Sequence, residues 1–556
     1  MEKNSYKTIT VSPTVATDML LKQIESAGRD GIPYLFVCLD GYDINISDES
    51  RRRMSQVARE TGASLLYSDY RVSNPDGSLT AHPLAPYQDG SVRDDFDFGP
   101  MILLDVAAIC RRYRDYPENL SESDHSGLYA LRLFIAAAIG SAHIRHIPEY
   151  LYISSENDRR ASGEKQFDYV NPRNAAVQKE REQIFTAYLA GIMAQLPPVT
   201  RHIDHSEGSF PVEASVIIPV RDRARTIADA VASALSQEAT FPFNVIVVDN
   251  HSTDGTTEIL SGIAAKDPRV IHLSPSRADL GIGGCWDMAV RDPRCGRFAI
   301  QLDSDDKYKD ETTLRRIVDC FRENSCAMVI GSYELTDFDG NLIPPGLIDH
   351  KEWTDTNGHN NALRINGLGA PRAFFTPVLR EIGVPNVSYG EDYALGLRIS
   401  REYKIGRIYD SLYLCRRWQG NSDANLSQEK VNTNNIYKDW LRSVELAARR
   451  KLYQEISDDY RGRILDICDR LIGFRDDQLA RWPLAAGNFA ALDAVETRTL
   501  TVADKVFTIL HNPCRAISSG AKTDAASVAS RPCFLCPSNR PECQEALQII
   551  PGYSLL

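Results

Sequence analysis

SVIIPV at 215–220 and NVIVVDNHSTDGT at 244–256 are the stretches whose reading decides the fold. The first is an unbroken, largely β-branched run that stops at the polar RDRAR of 221–225. That is the pattern of a parallel strand buried on both faces. TIADAVASALSQ (226–237) has a helical pattern and separates it from the second run, so the pair reads as a β-α-β unit. Open sheets of this kind bind ligands beyond the carboxyl ends of their strands. Asp249 ends the second strand there and can accept hydrogen bonds from a base or ribose. Asp249 or Asp254 would equally serve to cap the helix expected from Thr256.

Three further stretches follow along the chain. SRADLGIGGCWDMAV (276–290) has glycines that let backbone approach a phosphate and an arginine, Arg277, able to pair with one; plain turns use the same residues. FAIQLDSDD (298–306) drives an apolar strand into Asp303, Asp305 and Asp306. Clustered acids repel unless something cationic sits among them, and oxygen ligands suit Mg²⁺ or Mn²⁺ bridging a diphosphate. A solvated acidic turn is the structural alternative. YGEDYALGLRIS (389–400) sets Glu391 and Asp392 at a helix start, where the dipole keeps a carboxylate ionised for general-base work; capping alone explains it as well.

In their order and spacing SVIIPV, VIVVDNHSTDGT, LDSDD and GEDYALGLR resemble the family 2 inverting glycosyltransferases, over about 210 residues. The resemblance implies an α/β, Rossmann-like GT-A fold and transfer of a sugar from a nucleoside-diphosphate sugar to a glycan or lipid-linked acceptor. It assigns Pro219, Arg221, Asp249, Arg277, Asp279 and Asp303 to the donor pocket. It gives Asp303 and Asp305, with neighbouring Asp306, to a Mg²⁺ or Mn²⁺ ion, and makes Asp392, beside Glu391, the catalytic base. Where the family's Gly-rich region usually has Asn or Arg, this chain has Asp279 and Trp286. CRRWQGNSD (415–423) resembles the closing segment without the His often found there. The contrasting reading is a non-catalytic scaffold that binds sugar nucleotides or glycans; the intact Asp303, Asp305 and Asp392 favour the enzyme.

The rest of the chain frames this core. Its 556 residues exceed one hydrophobic core, and a net charge of −12 argues against nucleic acid or an anionic membrane as main partner. No signal peptide or membrane-spanning run is evident, so the expected location is the cytoplasm, with at most peripheral membrane contact. The twelve cysteines sit mostly in apolar runs, as buried thiols do in a reducing compartment.

Residues 1–165 read as a repeat. LDGYD (39–43) matches LDSDD (302–306), and ASLLYSDYRVSNPDGSL (63–79) matches CAMVIGSYELTDFDGNL (326–342), both at an offset of 263. LYALRL (128–133) and EYLY (149–152) match DYALGL and DSLY at offsets of 264 and 261. Tyr42 stands where Asp305 does and Leu128 where Asp392 does, so this is expected to be a degenerate, truncated half-copy without both nucleotide-binding strands. It would serve as scaffold, acceptor platform or self-association surface. The expected partition is 1–165 half-copy, 166–213 helical linker, 214–428 transferase domain, 429–476 helical linker and 477–556 C-terminal segment. RPCFLCPSNRPE (531–542), with QLARWPLAAGNFAAL and HNPCRAISSGAK, resembles a bacterial family related to galactose-1-phosphate uridylyltransferase. There Cys533 and Cys536 would hold structural Zn²⁺. The likeness ends before the His-x-His-x-His-like motif of nucleotidyl transfer, so the segment is expected to belong to a longer fusion or to lack that activity.

Overall fold

The computed structural model describes residues 6–156, 175–198, 200–351, 353–418, 421, 426–481, 497–502, 505–511 and 532–533, with backbone only from 456 onward. Met1–Arg449 form one compact unit and Arg450–Leu556 a second.

The first unit holds two sheets. The N-terminal sheet consists of β1 (Tyr6–Val11), β2 (Tyr34–Leu39), β3 (Tyr42–Ile46), β4 (Leu65–Ser73), β5 (Leu79–His82), β6 (Met101–Asp105) and β7 (Ile144–Glu156). The second has β8 (Ala214–Val220), β9 (Phe243–Asp249), β10 (Val270–Leu273), β11 (Phe298–Gln301), β12 (Lys307–Tyr308), β13 (Met328–Thr336), β14 (Leu342–Ile348), β15 (Arg372–Phe375) and β16 (Ile405–Arg416). β8, β9 and β11 are buried almost without interruption, as continuous apolar runs in a covered parallel sheet should be. β10, β9, β8 and β11 are mutually parallel neighbours, so their carboxyl ends share one edge.

The order β1-β2-β6-β4-β7-β3 runs parallel to β8-β11-β15-β13-β16-β12. Each matched pair has the same sense, parallel or antiparallel, and β5 on β4 corresponds to β14 on β13. The second sheet carries β9 and β10 beyond β8, for which the first has no counterpart among the described residues.

The two sheets are joined through buried charge. Asp439, on the helix Gln428–Arg481, accepts from Ser91 Oγ at 3.0 Å, Arg93 Nε at 3.1 Å and Arg442 NH1 at 2.8 Å. Arg364 is wholly buried and donates to Asp94 and Gln178 at 2.6 Å each. A side chain on Gly90 would stand 2.1 Å from the Asp439 carbonyl oxygen, so close approach here requires glycine. The expected 166–213 linker contains the helix Ala175–Gly191, and its Ile184, Phe185, Tyr188 and Leu189 are buried; it packs as part of the unit.

In the second unit β17 (Thr497–Val502), β18 (Lys505–His511) and β19 (Pro532–Cys533) form an antiparallel sheet. Cys536 lies outside the described residues, as does the Cys533 side chain. Among the described residues no helix is long and apolar enough to cross a membrane.

Candidate active site

Two carboxylate-bearing loops face each other across a cleft of about 1110 Å³, lined among others by Pro219, Arg221, Asp303, Asp305, Glu391 and Asp392. Small-ligand pockets commonly hold roughly 300–1,000 Å³, so this cleft has room for more than one substrate.

The first loop leaves the end of β11. Burial raises Asp303 above the usual carboxylate range; both its oxygens accept from the Gln301 amide, at 3.0 and 3.1 Å. Its backbone N–H donates to the Tyr413 hydroxyl at 2.9 Å, which ties the loop to β16. Asp305 accepts from Trp418 Nε1 at 3.3 Å and Asn421 Nδ2 at 3.2 Å, with Arg223 Nε 3.8 Å away. Trp418 and Asn421 belong to the segment CRRWQGNSD, and these two residues of it reach the acidic loop. Asp306 is 4% exposed and accepts the Arg416 N–H at 2.8 Å; it braces β16 from inside the loop. Burial, then repulsion from Asp303 and Asp305, pushes its carboxyl well up.

The second loop ends at Gly390, whose φ of 81° is a left-handed conformation that glycine adopts without strain. This turn starts the helix Glu391–Ser400 with both acids in its first turn. The two are in opposite states. Burial works against charge on Asp392, but Arg372 NH2, 2.8 Å from its Oδ2, and then Lys438 outweigh it and hold the carboxyl below its ordinary value. Arg372 offsets only part of the cost on Glu391: burial, then the charge of Asp392, pushes it up to about 8, and its Oε2 is buried without a hydrogen bond among the described residues. At neutral pH Asp392 carries the charge and Glu391 the proton.

Arg372 also connects the loops. Its NH1 donates to Gln301 Oε1 at 3.2 Å, while the Gln301 amide nitrogen holds Asp303. The chain Asp392–Arg372–Gln301–Asp303 therefore spans the cleft. Neither Arg372 nor Gln301 carries a motif; each stands alone in an apolar strand, and only pairing of β15 with β11 brings them together.

Several expected donor residues are placed otherwise. Asp249 is 2% exposed and accepts from Ser252 N at 3.1 Å and Thr257 Oγ1 at 2.5 Å. It holds the turn after β9 and is not among the cleft-lining side chains, where its neighbour Asn250 is. Arg277 and Asp279 pair with each other at 2.7 Å, both well exposed and away from the cleft lining. The Gly-rich stretch itself is close-packed: a side chain on Gly283 would meet the Pro385 carbonyl oxygen at 1.9 Å, so that glycine serves helix packing.

Comparison with known proteins follows the same outline. Residues 215–380 match the model of Glycosyl transferase family 2, and 474–556 match Domain of unknown function (DUF4922). The chain is 35% identical over 189 residues to TuaG of Bacillus subtilis (strain 168), a glycosyltransferase named for teichuronic acid biosynthesis; the match covers 34% of this chain and 72% of TuaG. It is 37% identical over 134 residues to chondroitin synthase of Escherichia coli, covering 24% of this chain and 19% of that enzyme. Among solved structures, S. aureus TarS 1–349 in complex with UDP-GlcNAc matches with a TM-score of 0.34 and 22% identity, over 42% of this chain and 66% of that one. With its strand-end acids, its closing segment and a relative matched over most of its length, the chain belongs to glycosyl transferase family 2 and is a glycosyltransferase.

Proposed function

We propose that residues 214–428 transfer a sugar with inversion, from a nucleoside-diphosphate sugar to a hydroxyl of a glycan or lipid-linked acceptor. The observation that carries this reading is the hydrogen-bonded chain from Asp392 through Arg372 and Gln301 to Asp303. It holds an ionised carboxylate across the cleft from an acidic loop suited to the donor diphosphate. Asp392 takes the proton of the acceptor hydroxyl as its oxygen attacks the anomeric carbon. The bond to the diphosphate breaks on the opposite face, and one displacement inverts the centre. Arg372 keeps Asp392 charged and oriented; Glu391, protonated, stays out of the proton transfer.

Asp303 and Asp305 suit a hard divalent ion. They sit on one cleft loop, and their hydrogen-bond donors include the neutral groups of Gln301, Trp418 and Asn421, with Arg223 3.8 Å from Asp305. Among the described residues no three His, Cys, Asp or Glu side chains converge, which fits an ion that keeps water and phosphate oxygens as ligands. Mg²⁺ or Mn²⁺ held there supplies charge neutralisation for the departing diphosphate.

The same reading takes residues 1–165 as a degenerate half-copy, supported by the shared strand order, with a cytoplasmic location and at most peripheral membrane contact. For 477–556 it retains the uridylyltransferase-related assignment, with Zn²⁺ on Cys533 and Cys536 resting on that resemblance and their spacing. Metal content of the purified chain that is unchanged by Cys533→Ser would remove that zinc.

The deciding experiment compares wild type with Asp392→Asn. Uridine diphosphate with Mn²⁺ should raise the melting temperature of both, by mass action. Turnover of a UDP-sugar panel with glycoside acceptors should drop by at least about 10² in the variant. Native turnover by Asp392→Asn refutes the base assignment, and nucleotide binding without turnover in the wild type supports the scaffold reading.

A further inference from the structure

The cleft does not end where the family match does. Beyond Asp392 its lining passes to Thr14, Asp94, Asp95, Gln178 and Arg181, which come from the N-terminal sheet's loops and the helix Ala175–Gly191, and to Lys438 from the helix that follows the transferase sheet. None of these lies in the matched residues 215–380.

This wall is held by buried ion pairs and reaches the base through Lys438. Arg93, 3% exposed, is held between Asp95 at 2.8 Å and Asp439 at 3.1 Å, and the Asp95 carboxylate is left 54% exposed. Asp94 and Gln178 are fixed through the buried Arg364. Lys438 donates to the Asn366 carbonyl oxygen at 2.7 Å and lies 4.7 Å from the Tyr389 ring centroid. Its ammonium, brought down to about 8 by burial, is within electrostatic range of both Asp392 and Asp95. Tyr389 is three residues before Asp392 and 37% exposed, and it too lines the cleft.

Resting on the transferase reading above, we propose that the N-terminal module forms the acceptor wall of the cleft and that this wall binds a neutral, hydroxyl-bearing sugar. The exposed Tyr389 ring offers a flat apolar face to a sugar ring. The Asp95 carboxylate accepts from hydroxyl groups, which bring their own donors. Among the described residues at this end, Arg181 and the wholly buried Arg364 share Asp94, Arg93 is 3% exposed behind the 54% exposed Asp95, and Lys438 is drawn to Asp392 and Asp95. A uronate or phosphate there would meet the Asp95 carboxylate, which is more exposed than any of these cations. The half-copy has thereby exchanged a catalytic role for substrate selection.

The test uses the full chain with uridine diphosphate and Mn²⁺ present. Saturation-transfer NMR is run with the methyl glycosides of glucose, galactose and N-acetylglucosamine, and with methyl glucuronide and glycerol phosphate as acidic probes. At least one neutral glycoside should give a signal, and the acidic probes none. Asp95→Ala should lower the neutral signal at least about threefold, with Asp95→Asn and Tyr389→Ala as second variants should it fail to fold. The melting shift produced by uridine diphosphate should stay at the wild-type value in these variants. A neutral signal that survives all folded variants, binding of acidic probes only, or no glycoside binding at all overturns the proposal. Failure of the transferase reading looks different: no nucleoside diphosphate would then stabilise the chain, whatever the glycosides do.

Discussion

Glu391 and Asp392 show how one residue's neighbours decide its chemistry. The two are adjacent acids at one helix start, yet Arg372 keeps Asp392 charged while burial keeps Glu391 neutral. The shift on Glu391 makes a stability prediction. Its folded value is raised from 4.5 to about 8, so the stability it contributes is fully present below its ordinary value and is lost as pH rises through about 8. Glu391→Gln cannot ionise and escapes that loss. The melting temperature of the variant relative to wild type should therefore rise between pH 5 and pH 9. A pH-independent difference would show that Glu391 is not held neutral. The motif GEDYALGLR identified the pair and its family resemblance named Asp392 the base, but the groups that set the two charge states come from other strands and helices.

At the scale of elements, the helix Gln428–Arg481 is the tie between the two sheets over its first turns. The sequence reads 429–476 as a helical linker, and in its first turns Asp439, Arg442, Glu445 and Arg449 are buried. Glu445 pairs with Arg401 at 2.5 Å and Arg449 at 2.7 Å, and Asp439 serves both Arg93 and Arg442. Removing one member of such a buried network leaves the others uncompensated. Asp439→Ala should cost about 3–5 kcal/mol of stability, read from the urea midpoint, and Asp439→Asn less, since the amide oxygen still accepts. An unchanged midpoint in Asp439→Ala would mean that the sheets are held together by other contacts.

For the whole molecule, the matched strand orders make a functional contrast between two aspartates. Asp40 occupies the repeat position of Asp303, but among the described residues the N-terminal sheet has no counterparts of β9 and β10. Apolar strand and helix faces keep a core packed after the polar site has gone, and Tyr67, Tyr70 and Tyr152 fill that core, with the Tyr70 and Tyr152 rings stacked 5.1 Å apart. Asp303→Ala should abolish the Mn²⁺-dependent melting shift given by uridine diphosphate, and Asp40→Ala should leave it intact. Equal loss in both variants would mean that the N-terminal sheet also binds nucleotide.

The sequence alone determined the parallel strands around SVIIPV and VIVVDN, the acidic loop after β11 and the acids of the Glu391–Ser400 helix. All of these are written in local periodicity or in short spacings along the chain. Tertiary structure decided which of the marked residues share a cleft. Pro219, Arg221, Asp303, Asp305 and Asp392 do. Asp249 turns inward to hold its own loop, while Arg277 and Asp279 satisfy each other at the surface. Structure also brought in Arg372, Gln301, Lys438 and Asp95. A hydrogen bond or ion pair between strands distant in sequence depends on register and packing, and an isolated arginine or glutamine in an apolar run carries no trace of the partner it will meet.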